Sequence, residues 1–234
     1  MSTSQGAAGH IVFDFNGTLL DDNAARLRAV NDSLVALGVA PIGMARYRRA
    51  FCVPVPDFYA RLLGRPLTAA ECQTADGVFQ QRYPDYAKTD SRLMPGAFDA
   101  LRTWSAAGHT QSLLSLHSHD DLRDEVARLG LAGRFTLVDG RRGPTGGSKA
   151  ESMRRHVKRL PLHPSRIVAI GDTQDDARAA AAAGIPAVLL SSGAQLADTL
   201  AGAGTPVAHS FAEAVDLAAG ILGIDLDASM SYAA

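Results

Sequence analysis

Hydrophobic and polar positions along this chain follow two alternating periods. Short, unbroken apolar runs at about 10–15, 110–116, 135–139, 166–171 and 187–191 are rich in Ile, Val, Leu and Phe. Glycines or polar turns bound them, the pattern of strands buried on both faces of a parallel sheet. Spacings of three and four predict helices at about 95–107, 119–130, 149–160, 175–183, 194–202 and 211–223. Strands alternating with helices predict a doubly wound, Rossmann-like α/β domain with right-handed crossovers. The alanine run Ala179 to Ala183 ends on Gly184 before Ile185-Pro186. It reads as a helix with a glycine stop, whose small side chains let it pack close to the sheet.

This alternation breaks once. Residues 20–94 hold no convincing strand but carry helical spacing, as in Leu27, Val30, Leu34 and Leu37 before Gly38. Further helices are predicted at about 44–51, 56–63 and 68–87. An insertion of this size at the mouth of the first strand predicts a helical cap over residues 20–94. The core is then formed by 1–19 and 95–234, with hinges near Leu20–Asp22 and Arg92–Gly96. Caps exclude water and select substrate by closing over a site.

The strand ends carry the candidate chemistry. Ile11 to Phe13 empties into Asp14-Phe15-Asn16-Gly17-Thr18, which places a carboxylate and a tight turn where open α/β sheets bind ligands. A carboxylate there can attack phosphorus; it can equally cap the next helix, and the segment alone is open to both readings. Three more segments add to it. Thr110 to Leu116 is an apolar strand ending in the hydroxyl of Ser115, Lys149 follows the glycine-rich stretch Gly143 to Gly147 and opens a helix, and Ile167 to Gly171 delivers Asp172 and Asp176.

In this order the four segments resemble the motifs of the haloacid dehalogenase superfamily of phosphotransferases, over nearly the whole chain. The resemblance implies that Asp14 is a nucleophile and Mg²⁺ ligand, with the backbone carbonyl of Asn16 a second ligand and Asp172 a third. Asp176 would ligate the metal or orient its water, while Ser115 and Lys149 would hold the phosphoryl oxygens. Mg²⁺ suits such a set because it takes oxygen ligands and keeps several waters. Lys149 would neutralise charge on the equatorial oxygens. The insertion resembles the superfamily's smaller helical cap.

Two positions depart from the pattern. The superfamily's phosphatases usually carry a second Asp two residues after the nucleophile, as general acid and base. Asn16 stands there and has no proton to give in that way. General acid–base catalysis contributes about 10²–10⁴-fold, so slow turnover of poor leaving groups is expected. His117 follows Ser115 where Asn is common; it either faces the phosphate end of the cleft or is a partly exposed loop histidine. In the cap, Arg46, Tyr47, Arg48, Arg49, Phe51, Phe58 and Tyr59 form an arginine and aromatic cluster. The aromatics are expected to be cap core, with Arg49 the chosen candidate for reaching substrate.

These readings predict a Mg²⁺-dependent phosphatase acting on a small phosphorylated metabolite through an aspartyl-phosphate. The alternatives are a phosphomutase, or a catalytically weak metabolite-binding or regulatory protein. Dehalogenation fits less well, because it has no need of Asp172 and Asp176. Two apparent motifs are set aside. Gly143 to Lys149 lacks the adjacent Gly-Lys-Ser/Thr of a nucleotide P-loop, and His117-Ser118-His119-Asp120 lacks the remaining ligands of a zinc site. Ser118 or Asp120 is expected instead to begin a helix.

Composition fits this picture. With 234 residues and a formal net charge of −1, the chain has no basic footprint for nucleic acid. Cys52 and Cys72 are its only cysteines, so a reducing, cytoplasmic setting is expected. No apolar stretch is long enough to span a bilayer. Met1 to Gly9 lacks the basic and apolar regions of a signal peptide and reads as a tail.

Overall fold

A computed structural model of the chain describes residues 8–143 and 148–226. Strand β1 (His10–Phe13) leads into the two-residue β2 (Leu20–Asp21). Helices α1 (Asn23–Ala36), α2 (Met44–Ala50), α3 (Val55–Leu63) and α4 (Ala69–Asp90) follow. The chain returns through β3 (Arg92–Leu93), which pairs antiparallel with β2. Then come α5 (Ala97–Ala106), β4 (Thr110–Ser118), α6 (His119–Arg128), β5 (Val138–Arg141) and α7 (Lys149–Arg159). The last elements are β6 (Ile167–Gly171), α8 (Gln174–Ala182), β7 (Ala187–Leu190), α9 (Ala197–Ala201), β8 (Val207–Ala208) and α10 (Phe211–Leu222).

Among the described residues, six strands form one parallel sheet in the order β5-β4-β1-β6-β7-β8. The sequence runs outward from β1 through β4 to β5 on one side, then resumes on the other side at β6. The order therefore reverses at β1, and the crevice beyond its carboxyl end is the topological switch point. Phe13 is level with Leu113 of β4 and Ile170 of β6, which brings Asp14, Ser115 and Asp172 to the same end of the sheet.

Alternating side chains of each strand feed opposite layers. Ile11, Phe13, Leu113, Val168 and Ile170 pack with Trp104 of α5 and Phe211 of α10. Val12, Leu114, Ile167 and Ala169 pack with Met153 and Val157 of α7 and with Ala179 and Ala180 of α8. The alanine-rich α8 thus lies against the sheet as its composition predicts. A chain of buried polar groups also ties α7 to the sheet. His10 Nε2 pairs with Ser112 Oγ at 2.8 Å, Ser112 Oγ with His156 Nε2 at 2.7 Å, and His156 Nδ1 with Asp139 Oδ2 at 2.8 Å.

Helices α1–α4 carry an apolar cluster of their own, which includes Val30, Leu34, Tyr47, Phe58 and Leu62. The rings of Tyr47, Phe51 and Phe58 lie 5.5–5.6 Å apart, so these aromatics are core, as expected. Helix α4 outruns its predicted end and continues through Pro84 to Asp90. Proline removes one internal hydrogen bond, and packing of α4 against α1 offsets the loss.

Other differences are local. The expected strand at 135–139 is assigned at Val138–Arg141, although Thr136 N–H already donates to Gln111 O at 2.9 Å. The β2–β3 pair inside the supposedly strand-free region and the two-residue β8 escape a periodicity argument because they are shorter than one repeat. Ser118 stands at the N-cap of α6 as expected, but its hydroxyl makes no capping bond. Residues 1–7 of the expected tail and residues 144–147 of the glycine-rich stretch lie outside the described residues, whereas Gly9, the last residue of that tail, is buried and its carbonyl accepts from Thr110 N–H at 3.1 Å. Among the described residues, no helix is long and apolar enough to cross a membrane.

Candidate active site

Asp14, Asp172 and Asp176 converge where β1 and β6 end. One carboxylate oxygen from each lies within 4.8 Å of the other two, and all three side chains are buried. Asp14 leaves the sheet with its N–H still bonded to Ile170 O at 2.9 Å, so the strand itself holds its backbone. Lys149, the first residue of α7, reaches Asp14 Oδ1 at 2.5 Å and also pairs with Asp176 Oδ1. Thr18 Oγ1 donates to Asp172 Oδ1 at 3.2 Å, and Ala194 N–H donates to Asp172 Oδ2 at 2.6 Å.

Asp176 does local work as well. Its Oδ2 accepts from Thr173 Oγ1 at 2.6 Å and from the N–H groups of Thr173 and Asp172 at 2.9 and 3.2 Å. This is a capping box at the start of α8. With Oδ2 so occupied and Oδ1 on Lys149, the carboxylate is better placed to orient its neighbours than to ligate directly.

Crowding shapes the charges. Burial pushes the Asp14 carboxyl up to about 6, with Lys149 opposing. Burial, then Asp176 and Asp14, push Asp172 up to about 7. Burial also works against ionised Asp176, but the charge of Lys149 and the Thr173 hydrogen bonds prevail and hold it low. Lys149 is likewise opposed by burial, and Asp14 with Asp176 holds it well above the ordinary ammonium value.

The residues fit a hard divalent cation. Buried, like-charged oxygen donors at this spacing call for positive charge beyond that of Lys149, and they are the ligand type Mg²⁺ takes. The space around them is kept open by missing side chains. A Cβ on Gly17, whose φ is +79°, would lie 2.3 Å from Asp172 Oδ2. One on Gly193 would lie 2.3 Å from the same oxygen and 2.5 Å from Gly17 O.

Ser115 is buried in the second half of β4, which runs on to Ser118 beyond its expected end, and its Oγ accepts from His117 N–H at 3.1 Å. Asn16 lies beside it. Ser115 Oγ donates to Asn16 Oδ1 at 3.4 Å, while Asn16 Nδ2 donates to Asp22 Oδ2 at 2.9 Å and to Tyr83 Oη at 2.8 Å. His117 is half-buried and stands in β4 rather than in a loop. Its ring meets that of Tyr83 edge-on at 6.4 Å, and burial lowers its pKa.

Arg49 does not join this group. It is exposed on α2, two residues after buried Tyr47 and hence on the far side of the helix. Arg26 and Arg48 are the arginines of the insert that turn inward. Arg26 Nε pairs with Asp22 Oδ2 at 2.9 Å, and Arg48 donates to Ser191 O and Gln195 O at 2.6 and 3.0 Å. Sequence reasoning missed Asp22, Arg26 and Tyr83. Asp22 stood within a predicted hinge, but nothing in its surroundings announced a partner 61 residues away.

A strand-end aspartate, a helix-borne lysine and a second pair of aspartates thus meet around one crevice. The family model described as haloacid dehalogenase-like hydrolase matches residues 9–184, and the chain belongs to that family. Among curated proteins it is similar to the phosphoglycolate phosphatase of Chromobacterium violaceum, 29% identical over 218 residues, covering 88% of this chain and 95% of that protein. The phosphoglycolate phosphatase of Rhodobacter capsulatus is 27% identical over 186 residues, 78% of this chain and 84% of that one. Two solved structures share the fold at 20% identity. A haloacid dehalogenase-like family hydrolase from Streptococcus pneumoniae has a TM-score of 0.77 and covers 90% of this chain and 98% of its own. A hydrolase from Pseudomonas syringae has a TM-score of 0.71, with 89% and 96% covered.

Proposed function

We propose that this chain is a Mg²⁺-dependent phosphatase that hydrolyses a small phosphorylated metabolite through an aspartyl-phosphate on Asp14. The observation that carries this reading is the salt bridge of Lys149 to Asp14, set within a buried trio of carboxylates. Asp14, Asp172 and the main-chain carbonyl of Asn16 would hold Mg²⁺, which lets an anionic carboxylate approach an anionic phosphate. Lys149 and Ser115 would bind the phosphoryl oxygens, and His117 would line the same cleft. Residues 20–94 act as a cap on a core of 1–19 and 95–234. The relatives' names make phosphoglycolate the first substrate to try. The two free cysteines suit a cytoplasmic setting.

Asn16 limits the rate rather than the reaction type. Without a general acid at this position the leaving group must depart as an anion, so acyl and aryl phosphates should outpace alkyl phosphates. Phosphate release from 4-nitrophenyl phosphate and 2-phosphoglycolate, with and without Mg²⁺, tests the proposal. Release should require the metal and be lost in folded Asp14→Ala. Metal-independent release, or full activity in Asp14→Ala, would overturn it.

A further inference from the structure

The side chain at position 16 is held in one orientation. Asn16 Nδ2 lies 2.9 Å from Asp22 Oδ2 and 2.8 Å from Tyr83 Oη, and it donates one hydrogen to each. Tyr83 gives its own proton to Asp22 Oδ2 at 2.7 Å, and Arg26 Nε donates to the same oxygen at 2.9 Å. Both amide hydrogens of Asn16 are thereby used. Turning the amide over would set its carbonyl against a carboxylate oxygen, so the arrangement has one chemically acceptable form. Asp22 is fully buried, and three donors converge on Oδ2 while Oδ1 has no hydrogen-bond partner among the described residues. The carboxylate is aimed at Asn16.

What remains for the cleft is Asn16 Oδ1, an acceptor, which faces Ser115 Oγ at 3.4 Å. That hydrogen bond is long and is readily given up when Ser115 turns its proton to a phosphoryl oxygen.

We propose that Asp22 and Tyr83 are positioning residues that fix Asn16 as a pure hydrogen-bond acceptor, so that it assists the water hydrolysing the phosphoenzyme but not the departing group. The proposal rests on the phosphatase reading above. An incoming water carries two O–H bonds and needs an acceptor to orient it; a departing alkoxide needs a proton, which Oδ1 cannot supply. In the hydrolytic step the water oxygen bonds to phosphorus as the bond from phosphorus to Asp14 breaks. The electron pair of that bond returns to Asp14, and one water proton ends on a phosphoryl oxygen, so the product is H₂PO₄⁻. Asn16 accepts a hydrogen bond throughout and never a proton. Tyr83 sits on α4 and Asp22 at the entry to α1, so the inserted helices set the orientation.

Rapid-quench kinetics with 4-nitrophenyl phosphate and Mg²⁺ separate formation of the phosphoenzyme, read as the nitrophenolate burst, from its breakdown. Tyr83→Phe and Asp22→Ala should slow breakdown about 10-fold and change the burst rate by less than about 2-fold, as expected for lost orientation of one reactant. Tyr83→Phe removes a single oxygen, so the test survives if Asp22→Ala fails to fold. Equal slowing of both steps in Tyr83→Phe, or no effect on breakdown, would overturn the positioning role. No phosphoenzyme in the unsubstituted protein would overturn the phosphatase reading and this role together.

Discussion

Asp14 and Asp172 carry a pH signature that belongs to the residues themselves. Their carboxyls stand at about 6 and about 7 in the folded chain without metal, against about 4 in an unfolded one. Between pH ~4 and ~7 the folded state therefore holds protons that the unfolded state has released, and this pair's contribution to stability falls as pH rises through that window. A divalent cation held by the ionised pair would reverse the loss. Adding Mg²⁺ should raise the melting temperature more at pH 8 than at pH 5, as differential scanning calorimetry would record; an equal rise at both would show that the pair does not bind it. These two residues were legible because each ends an apolar strand, and Lys149 and Asp176 because each lies in the first turn of a patterned helix. Asp22 and Tyr83 were not legible. Their meeting with Asn16 depends on how α4 crosses α1, which no local spacing encodes.

At the scale of elements, glycine placement gives the loops room to hold Asp172. Gly193 has no space for a side chain, since an added Cβ would meet Asp172 Oδ2 at 2.3 Å and Gly17 O at 2.5 Å. Overpacking of that kind typically costs about 1–3 kcal/mol, and here the atom displaced is a proposed metal ligand. Gly193→Ala should weaken Mg²⁺ binding by calorimetric titration. Gly220→Ala in α10, where an added Cβ meets nothing within 4 Å, should leave it unchanged. Equal Mg²⁺ affinity in both variants would contradict the account of the loop. Strands β1, β4, β6 and β7 were readable because both faces of each feed an apolar layer. Strand β5, with the sequence Val138-Asp139-Gly140-Arg141, is polar because Asp139 is committed to His156 and Arg159. Its register came from pairing with β4, and periodicity could not supply it.

For the whole molecule, the inserted helices and the parallel sheet meet around the crevice. Arg48 bonds the carbonyls of Ser191 and Gln195, Gln195 Nε2 returns a bond to Phe51 O at 3.0 Å, and Tyr83 reaches Asn16. The site is thus built by both parts of the chain, and the proposed reaction forms its covalent bond at Asp14. Acid quenching during Mg²⁺-dependent turnover of 4-nitrophenyl phosphate, followed by peptide mapping, tests for that bond. The account predicts an acid-stable, base-labile phosphoryl group on Asp14, absent when Mg²⁺ is chelated and absent in Asp14→Asn. Product release with no phosphoryl group on the protein, or with the group on another residue, would contradict it.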